Sequence, residues 1–481
     1  MTEPHVILAS ADSRAFASIR ESTTTRQERF ALGRSLRDKV PLAGLGDWSA
    51  GPARLDPIAL IQMSHAGRVN ELVPIRVGRM ISSPYAFLRG TAVVMAADVA
   101  SLPSTGIQPV ICGDSHLGNF GFYRSPEGEQ VIDLNDFDEA HPGCWEWDLR
   151  RLVASVWVAG RENGHPEDAM AAAVASCVRA YRDEVAYLAE QPLLARSFNR
   201  LDVERLHETA SEKTLRDEIR RAAKVARKRT SDRALPRFTA ETGGRRHIQP
   251  EPPLITPVTG EEYEGLAQGL DDYLGTLAPH WRRVVAGYHL LDIAHKVVGV
   301  GSVGLRAYVA LLEGSGPDDV LFLQLKQARR SVLARFVHGD SAWHAHQGQR
   351  VVEYQQALQT VSDPLLGWTT VADRTYYVRQ FRNMKGTVPL DSMTATALAD
   401  YAGIVGHLLA KGHARTSGAS MIAGYLGDGE EAATALSTFA RRYADQTEAD
   451  HATLVRAVKG GLLPVADGAL DAMGSAFRPG G

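Results

Sequence analysis

Two acidic segments that lie close together in the chain carry the residue types that phosphoryl transfer requires. The first reads C-G-D-S-H-L-G-N (112–119) and the second reads V-I-D-L-N-D-F-D-E-A (131–140). Asp114 and Asn119 are five residues apart on a loop after a β-like run, which is the spacing of a kinase catalytic loop. Asp136 ends the next β-like run, where a carboxylate can hold Mg²⁺. The spacing predicts that Asp114, Asn119 and Asp136 share one site.

These two segments resemble the aminoglycoside and choline kinase branch of the protein-kinase-like superfamily. That branch has a catalytic loop of the form H-G-D-x-H-x-x-N and a metal strand of the form I-D-F/W. The resemblance implies that Asp114 is the catalytic base and that His116 matches the histidine of the loop. It also implies Mg²⁺ ligands, which are Asn119, Asp136 and Asp138 in this sequence.

The catalytic loop departs from the pattern of that branch at one position, where Cys112 replaces the first histidine. Asp148, in W-E-W-D-L-R-R-L, is similar to the later aspartate that braces the loop. An aspartate in a glycine-containing turn is more often a turn-former than a catalyst. Asp133 and Asn135 are therefore interpreted as strand or turn residues, and only the combined spacing supports catalysis.

A glycine-rich segment much later in the chain predicts the cover for the phosphates. The run VVGVGSVG (297–304) contains Gly299, Gly301 and Gly304, with Ser302 between the last two. A G-x-G-x-x-G pattern also occurs in dinucleotide-binding folds, but there a helix follows the glycines. Here LRAYVALLEG, a GSGPDD turn and VLFLQLK follow, and this pattern predicts strand, glycine turn, strand, turn, strand.

The remaining residues of the predicted ATP site follow this segment. Lys326 falls in the third strand, where the resemblance implies the lysine that pairs with the ATP phosphates. A predicted helix, QRVVEYQQALQT (349–360), carries Glu353, the expected ion-pair partner of Lys326. The strand TYYVRQF (375–381) is similar to the one that leads to the adenine-binding hinge, and it carries Arg379.

The order of these segments is the reverse of the usual kinase order, because the catalytic loop precedes the glycine turn. We expect an α+β protein with a two-lobed, protein-kinase-like fold that is circularly permuted, which is tolerated where the original termini lie close together. Residues 1–290 form the expected catalytic lobe, which is mostly helical. Residues 291–390 form the nucleotide-covering β lobe, and helices of 391–481 pack on the large lobe.

Composition limits the classes of partner. The 481 residues carry a net charge of −3, so no nucleic-acid partner is expected. No apolar run approaches the length of a membrane span, and the first thirty residues lack the pattern of a signal peptide, so we expect a cytoplasmic protein. The three cysteines suit neither a disulfide framework nor a zinc site. The expected partners are ATP, Mg²⁺ and a small molecule; the sequence does not indicate an oligomeric state.

Longer runs resemble the bacterial family known as domain of unknown function 2252. They are LVPIRVGRM, SPYAFLRG, CGDSHLGNFG, DLNDFDEA, WDLRRL, VVGVGSVG, LQLKQA, RVVEYQ and YYVRQF, and together they span roughly residues 35–415. The resemblance supports a kinase-like fold but implies no substrate. Arg76, Arg79 and Arg89 lie in its signature region, and the two interpretations are a phosphate or substrate role and, in preference, pairing at the surface or at the edge of the core.

Four functions remain open from the sequence. The first is phosphoryl transfer from ATP to a hydroxyl group of a small molecule. The second is nucleotidyl transfer on the same fold, and the third is a non-catalytic nucleotide-binding regulator. The fourth, metal-dependent hydrolysis, leaves the glycine turn and Lys326 unexplained. A basic run over 220–229 is either a solvated helix face or part of an anionic substrate site.

Overall fold

The computed structural model describes the chain in eight stretches, and every structural statement below concerns these residues. They are 24–198, 212–231, 235, 238–297, 301–337, 344–381, 383–416 and 418–466. Helices and antiparallel strands occupy largely separate parts of the described chain, so the fold class is α+β, as predicted.

The described elements are numbered here in chain order. The helices are α1 (Arg26–Ser35), α2 (Pro57–His65), α3 (Val73–Met80), α4 (Pro84–Gly90), α5 (Ala92–Ala100), α6 (Trp145–Glu162), α7 (Glu167–Glu190), α8 (Leu193–Ser197), α9 (Lys213–Arg227), α10 (Gly260–Leu274), α11 (Pro279–Val285), α12 (Ala334–Val337), α13 (Gln347–Leu358), α14 (Ala395–Thr416), α15 (Ala419–Leu426) and α16 (Glu430–Lys459). The strands are β1 (Val110–Ile111), β2 (Phe120–Arg124), β3 (Gln130–Leu134), β4 (His141–Pro142), β5 (Thr239–Thr242), β6 (Arg245–Ile248), β7 (Ile255–Pro257), β8 (His289–Lys296), β9 (Ala307–Glu313), β10 (Val320–Gln327), β11 (Gly367–Val371) and β12 (Arg374–Gln380).

Six strands form one antiparallel sheet with the order β11-β12-β10-β9-β8-β7. Neighbouring side chains of a strand point to opposite faces. In β10, Leu321, Leu323 and Leu325 face a cluster that includes residues of α10. Phe322 faces the other side, where it packs with Ile248 of β6. Because both faces are covered, the first half of β10 (residues 320–323) is a continuous apolar run rather than an alternating one.

The remaining helices form a body around α6, in which every residue from Trp145 to Gly160 is buried. Helix α14 packs along α7, and α16 packs on α6, so the last third of the chain returns to the first. Trp145 stacks on Tyr181, with ring centroids 5.8 Å apart, inside this shared core. Of the described helices, none is long and apolar enough to cross a membrane.

Two small sheets position the acidic segments against this body. Strand β1 pairs with β4, and β2 forms a hairpin with β3 in which Phe120 lies opposite Leu134. Asp114 therefore follows β1, Asn119 directly precedes β2, and Asp136 follows β3. The three turns converge because the strands that carry them pair with one another or pack on α6.

The large sheet extends further toward the N-terminus than residue 291. It begins with β7, and α10 and α11 belong to its core. Helices α4 and α5 meet at Thr91. Strands β5 and β6 form a separate hairpin before β7, and strand β2 lies between the two acidic segments.

Candidate functional site

The turn that carries Asp114 is held by the carboxylate of Asp148. This carboxylate accepts hydrogen bonds from the backbone amides of Cys112, at 2.7 Å, and Gly113, at 2.8 Å. Gly113 has φ +76°, and a Cβ at this position would lie 2.4 Å from the carbonyl oxygen of Glu139, so the turn requires glycine. The prediction that Asp148 braces the loop is confirmed, and the cysteine that replaces the expected histidine takes part through its amide.

The Asp114 carboxylate is oriented by Arg151, a residue that sequence reasoning missed. Nε of Arg151 donates to Oδ1 of Asp114 at 2.6 Å, and Nη2 donates to the carbonyl oxygen of Leu88 at 2.8 Å. Burial raises the pKa of Asp114 to about 7, although Arg151 opposes this change. A carboxyl group with a pKa near neutral pH is well suited to accept a proton from a substrate.

His116 lies beside Asp114 in a neutral form. Its Nε2 is 4.0 Å from Oδ2 of Asp114, which is too far for a hydrogen bond. Burial lowers the pKa of His116 well below its usual range, and the cations Arg89 and Arg151 add to this effect. Its Nδ1 has no partner among the described residues. A neutral imidazole in this position can form one hydrogen bond to a bound molecule.

Asn119 fixes the turn that carries Asp114 relative to Asp136, which follows strand β3. Its Nδ2 donates to the backbone oxygens of Asp114 and Asp136, both at 3.0 Å. Its Oδ1 accepts a hydrogen bond from the backbone amide of Asp136 at 2.7 Å. An amide oxygen has two acceptor sites, so Oδ1 retains one for a cation. The structure therefore places Asn119 between the two aspartates for which sequence reasoning assigned separate roles.

Lys326 connects the large sheet to Asp136 and Asp138. It lies in β10 opposite Tyr377 of β12, and its side chain is 5% exposed. Its Nζ is 2.9 Å from Oδ2 of Asp138 and 3.7 Å from Oδ2 of Asp136. Burial disfavours the charge of Lys326, but the two aspartates outweigh this effect and raise its pKa.

Asp136 and Asp138 differ in how much of each carboxylate remains accessible. Oδ1 of Asp138 accepts from the hydroxyl of Tyr377 at 2.8 Å, and Oδ2 accepts from Lys326 and from Ser302 at 3.1 Å. Burial opposes ionisation of Asp138, but Lys326 and Tyr377 lower its pKa to about 2. The Asp136 side chain is 45% exposed. Asp136 is therefore the more open of the two predicted metal ligands.

The glycine turn lies between β8 and β9, directly over Asp138. Ser302 reaches the Asp138 carboxylate, and Gly304 adopts φ +86°, a conformation that favours glycine. Gly301 and Ser302 line the same cleft as Asp136. Gly299, the first glycine of the predicted pattern, lies outside the described residues. The strand, turn, strand arrangement predicted around this segment is present in β8, β9 and β10.

The predicted ion pair between Glu353 and Lys326 is wrong for the described chain. Glu353 lies in α13 as expected, but its carboxylate pairs with Nε2 of His344 and accepts from Nε2 of Gln349, both at 2.8 Å. The contact between α13 and the acidic segment comes instead from Arg350, whose Nη2 donates to the backbone oxygen of Asp138 at 2.7 Å.

A cleft of about 620 Å³ lies between the helical body and the large sheet, and its lining includes Asp114, His116, Asn119, Asp136 and Asp138. Near Asp136 the cleft contains Arg379, whose Nη1 donates to the backbone oxygen of Asn135 at 3.4 Å. It also contains Lys385, whose pKa is held well below its usual range by burial and by Arg379. A cation that is disfavoured in this way is stabilised by a bound anion, so this part of the cleft is suited to an anionic group.

The donors around Asp136 also fit Mg²⁺ better than a tightly bound transition metal. No group of three or more His, Cys, Asp or Glu in the described residues is arranged to hold a metal ion. Mg²⁺ commonly takes only one or two protein carboxylates and completes its shell with water and substrate phosphates. One open carboxylate, Asp136, with the oxygen of Asn119 nearby meets this requirement.

Several residues that organise the site were given no role from the sequence. Arg151 lies three positions after Asp148 on α6, so the helical repeat alone could have placed both side chains on one face. His413 of α14 lies 3.2 Å from the Asp148 carboxylate, and Lys411 lies 2.5 Å from Asp133. No spacing signal links these last two pairs, because each joins residues more than 260 positions apart.

The fold and the site together define an α+β protein in which a charged cleft lies between a six-stranded sheet and a helical body. Residues 68–457 match the model of a family described as an uncharacterized protein conserved in bacteria (DUF2252). The match covers most of the chain, and the chain belongs to this family. A comparison with curated proteins found no match, and neither did a comparison with solved structures.

Proposed function

We propose that the chain is an ATP- and Mg²⁺-dependent phosphotransferase that acts on a hydroxyl group of a small-molecule acceptor. The observation that carries this proposal is the position of Lys326, whose Nζ is 2.9 Å from Asp138 and 3.7 Å from Asp136. Kinase-type sites require a strand lysine and a metal-binding aspartate at one nucleotide. Here the two come from segments that are distant in sequence.

The proposal assigns roles to eight residues in or near the cleft. Asp114 accepts the proton of the acceptor hydroxyl, and Arg151 holds its carboxylate in position. Lys326, Arg379 and Lys385 supply positive charge for the nucleotide phosphates. Asp136 and the amide oxygen of Asn119 hold Mg²⁺, which neutralises phosphate charge when it is bound. The neutral His116 forms a hydrogen bond to the acceptor.

The proposal includes a kinase-like fold with permuted chain order. The catalytic turns of the first part of the chain face a later antiparallel sheet that carries the glycine turn and the lysine, which is the reverse of the kinase order. The long helix α14 packs on α7 beside the acidic segments. In this chain α14 follows the large sheet, and it does not lead into the catalytic loop as the corresponding helix of a kinase does. These relations support a permuted arrangement of the same parts.

Calorimetric binding of a non-hydrolysable ATP analogue, with and without Mg²⁺, tests the proposal. We expect wild-type protein to bind the analogue in a Mg²⁺-dependent manner. The Asp136→Ala variant should lose this dependence, because it removes the open carboxylate. Glu261→Ala, which changes an acidic residue at the start of α10, is the control and should bind as the wild type does.

Absence of binding to folded wild-type protein would refute the proposal. If binding is found, turnover with candidate acceptors identifies the reaction from its products. Phosphoryl transfer releases ADP, whereas nucleotidyl transfer releases pyrophosphate. Release of pyrophosphate would replace the phosphotransferase assignment with the second function considered from the sequence.

A further inference from the structure

The cleft contains a second group of cations, which the proposed nucleotide site does not use. Arg68, Arg76, Arg89 and Arg329 all line the cleft together with Asp114 and His116. They come from four segments: the turn after α2, helix α3, helix α4 and the stretch that follows β10. We call these four residues the arginine group.

Arg76 is the buried centre of the arginine group. The residue is 2% exposed, and its Nη2 donates to the carbonyl oxygen of Gly90 at 2.7 Å. Its Nε and Nη1 have no partner among the described residues. A buried guanidinium without an anionic partner is strongly disfavoured in a folded protein. The two unpaired nitrogens therefore point to an anion that binds in the cleft.

The other members of the arginine group also make main-chain contacts. Arg68 donates from Nε to the carbonyl oxygen of Ser64 at 2.9 Å, and Arg329 donates to the same oxygen at 3.3 Å. Nε of Arg89 is buried without a described partner. Neutral carbonyl oxygens orient the guanidinium groups of Arg68 and Arg329 but do not balance their charges.

Repulsion within the arginine group adds to the effect of burial and lowers the pKa of Arg68 and of Arg76. Burial lowers the pKa of Arg68 to about 8, and the neighbouring charges of Arg76 and Arg329 add to this change. Burial and Arg329 likewise lower the pKa of Arg76 to about 10. Glu139 is the carboxylate that acts most strongly in the opposite direction on Arg68. It already accepts a hydrogen bond from the backbone amide of Val332 at 2.7 Å.

We propose that the arginine group binds a phosphate-class dianion that belongs to the acceptor, so that the substrate is a phosphorylated small molecule with a free hydroxyl group. The carboxylates that act on Arg68 are Glu139 and Asp138, and Asp138 is already paired with Lys326. A dianion balances the remaining positive charge of four guanidinium groups better than a carboxylate does. The guanidinium fork also matches phosphate oxygens in pairs. Arg89 lies close enough to His116 to affect its pKa, which places the anion beside the catalytic turn.

This inference rests on the proposed phosphotransferase function and extends it to the substrate class. It adds a binding site and no new bond-forming step. The nucleotide phosphates have their own cations in Lys326, Arg379 and Lys385, which act on one another and on Asp136. The arginine group is therefore assigned to the acceptor and not to ATP.

The test is calorimetric titration of inorganic phosphate into the full chain, in the presence of Mg²⁺ and a saturating non-hydrolysable ATP analogue. We expect Arg76→Met to weaken phosphate binding at least tenfold, which corresponds to about 1.4 kcal/mol. Arg89→Gln should give a loss in the same direction, and it provides a second variant if Arg76→Met does not fold. Arg79→Gln, one turn further along α3 and outside the cleft lining, should bind phosphate as the wild type does.

The results separate this inference from the proposed function. Unchanged phosphate binding in folded Arg76→Met and Arg89→Gln, or tighter binding of acetate than of phosphate, would overturn it while nucleotide binding stands. Loss of the ATP analogue from both variants would assign the arginine group to the nucleotide and also overturn it. Phosphate binding that depends on Arg76 in a protein that binds no nucleotide would keep the anion site but refute the phosphotransferase.

Discussion

Replacement of Lys326 by methionine tests whether the sheet and the acidic segment are held together as the structure indicates. Methionine has a similar length and no charge, so Lys326→Met removes the ammonium group with little change in packing volume. Asp138 then loses its 2.9 Å contact with Nζ and keeps hydrogen bonds from Tyr377 and Ser302. The buried carboxylate is left without its counter-ion.

The expected loss of stability follows from the burial of this pair. Removal of one partner from a fully buried ion pair costs about 3–5 kcal/mol. The Asp138 side chain is 20% exposed and retains two hydroxyl donors, and the Asp136 side chain is 45% exposed. We therefore expect a loss below that range, about 2–3 kcal/mol in the free energy of unfolding.

Urea denaturation followed by tryptophan fluorescence measures this change. Asp138→Asn and the double variant complete a double-mutant cycle, and we expect a coupling energy of about 1–3 kcal/mol between the two positions. Lys459→Met provides the control, because Lys459 is exposed at the end of α16 and its replacement should change stability by less than about 0.5 kcal/mol.

Two results would refute the reasoning. If Lys326→Met were as stable as the control variant, Lys326 would not be confined between the two aspartates. If the cycle gave additive losses, the ammonium group and Asp138 would act independently. Either result would also remove the observation on which the proposed function rests.

Three further predictions concern the same site. Asp114→Asn should lower turnover by about 10²–10⁴-fold, because the amide cannot accept the proton, while binding of the ATP analogue with Mg²⁺ remains within a few-fold of wild type; equal turnover would exclude Asp114 as the base. Gly113→Ala should lower the melting temperature and reduce turnover, since a Cβ would lie 2.4 Å from the Glu139 carbonyl oxygen; an unchanged melting curve would contradict the tight turn. Glu353→Gln should leave nucleotide affinity unchanged in calorimetry, because Glu353 pairs with His344; a large loss of affinity would restore the kinase-type role for this glutamate.

The parts of the site that could be predicted from sequence are those encoded in short segments. Asp114 and Asn119 were found from their spacing within one loop, and Lys326 from the strand and turn pattern that precedes it. Such signals are local, because strand alternation and turn residues act over a few positions. That the loop with Asp114 and the strand with Lys326 lie close together followed from assigning both to one site.

Contacts between distant segments could not be predicted in the same way. Glu353 occupied the expected helix but binds His344, because the orientation of α13 depends on packing that no local pattern encodes. Strand β7 could not be identified from sequence, since I-T-P in a proline-rich stretch has no alternation that marks a strand. Arg76 and Arg89 were noticed as cations, but only the structure shows that nitrogens of both are buried without described partners.

The contacts of α14 have a consequence for how the chain is made. Asp133 and Asp148 leave the ribosome early in synthesis. Lys411, the partner of Asp133, follows it by 278 residues, and His413, the partner of Asp148, follows it by 265 residues. At a synthesis rate of about 5–20 residues per second, this separation corresponds to roughly 13–56 s. During that interval Asp133 lacks the ammonium group of Lys411, and Asp148 lacks the imidazole of His413. The site therefore reaches its final form only late in translation, and a chain terminated before α14 lacks both partners.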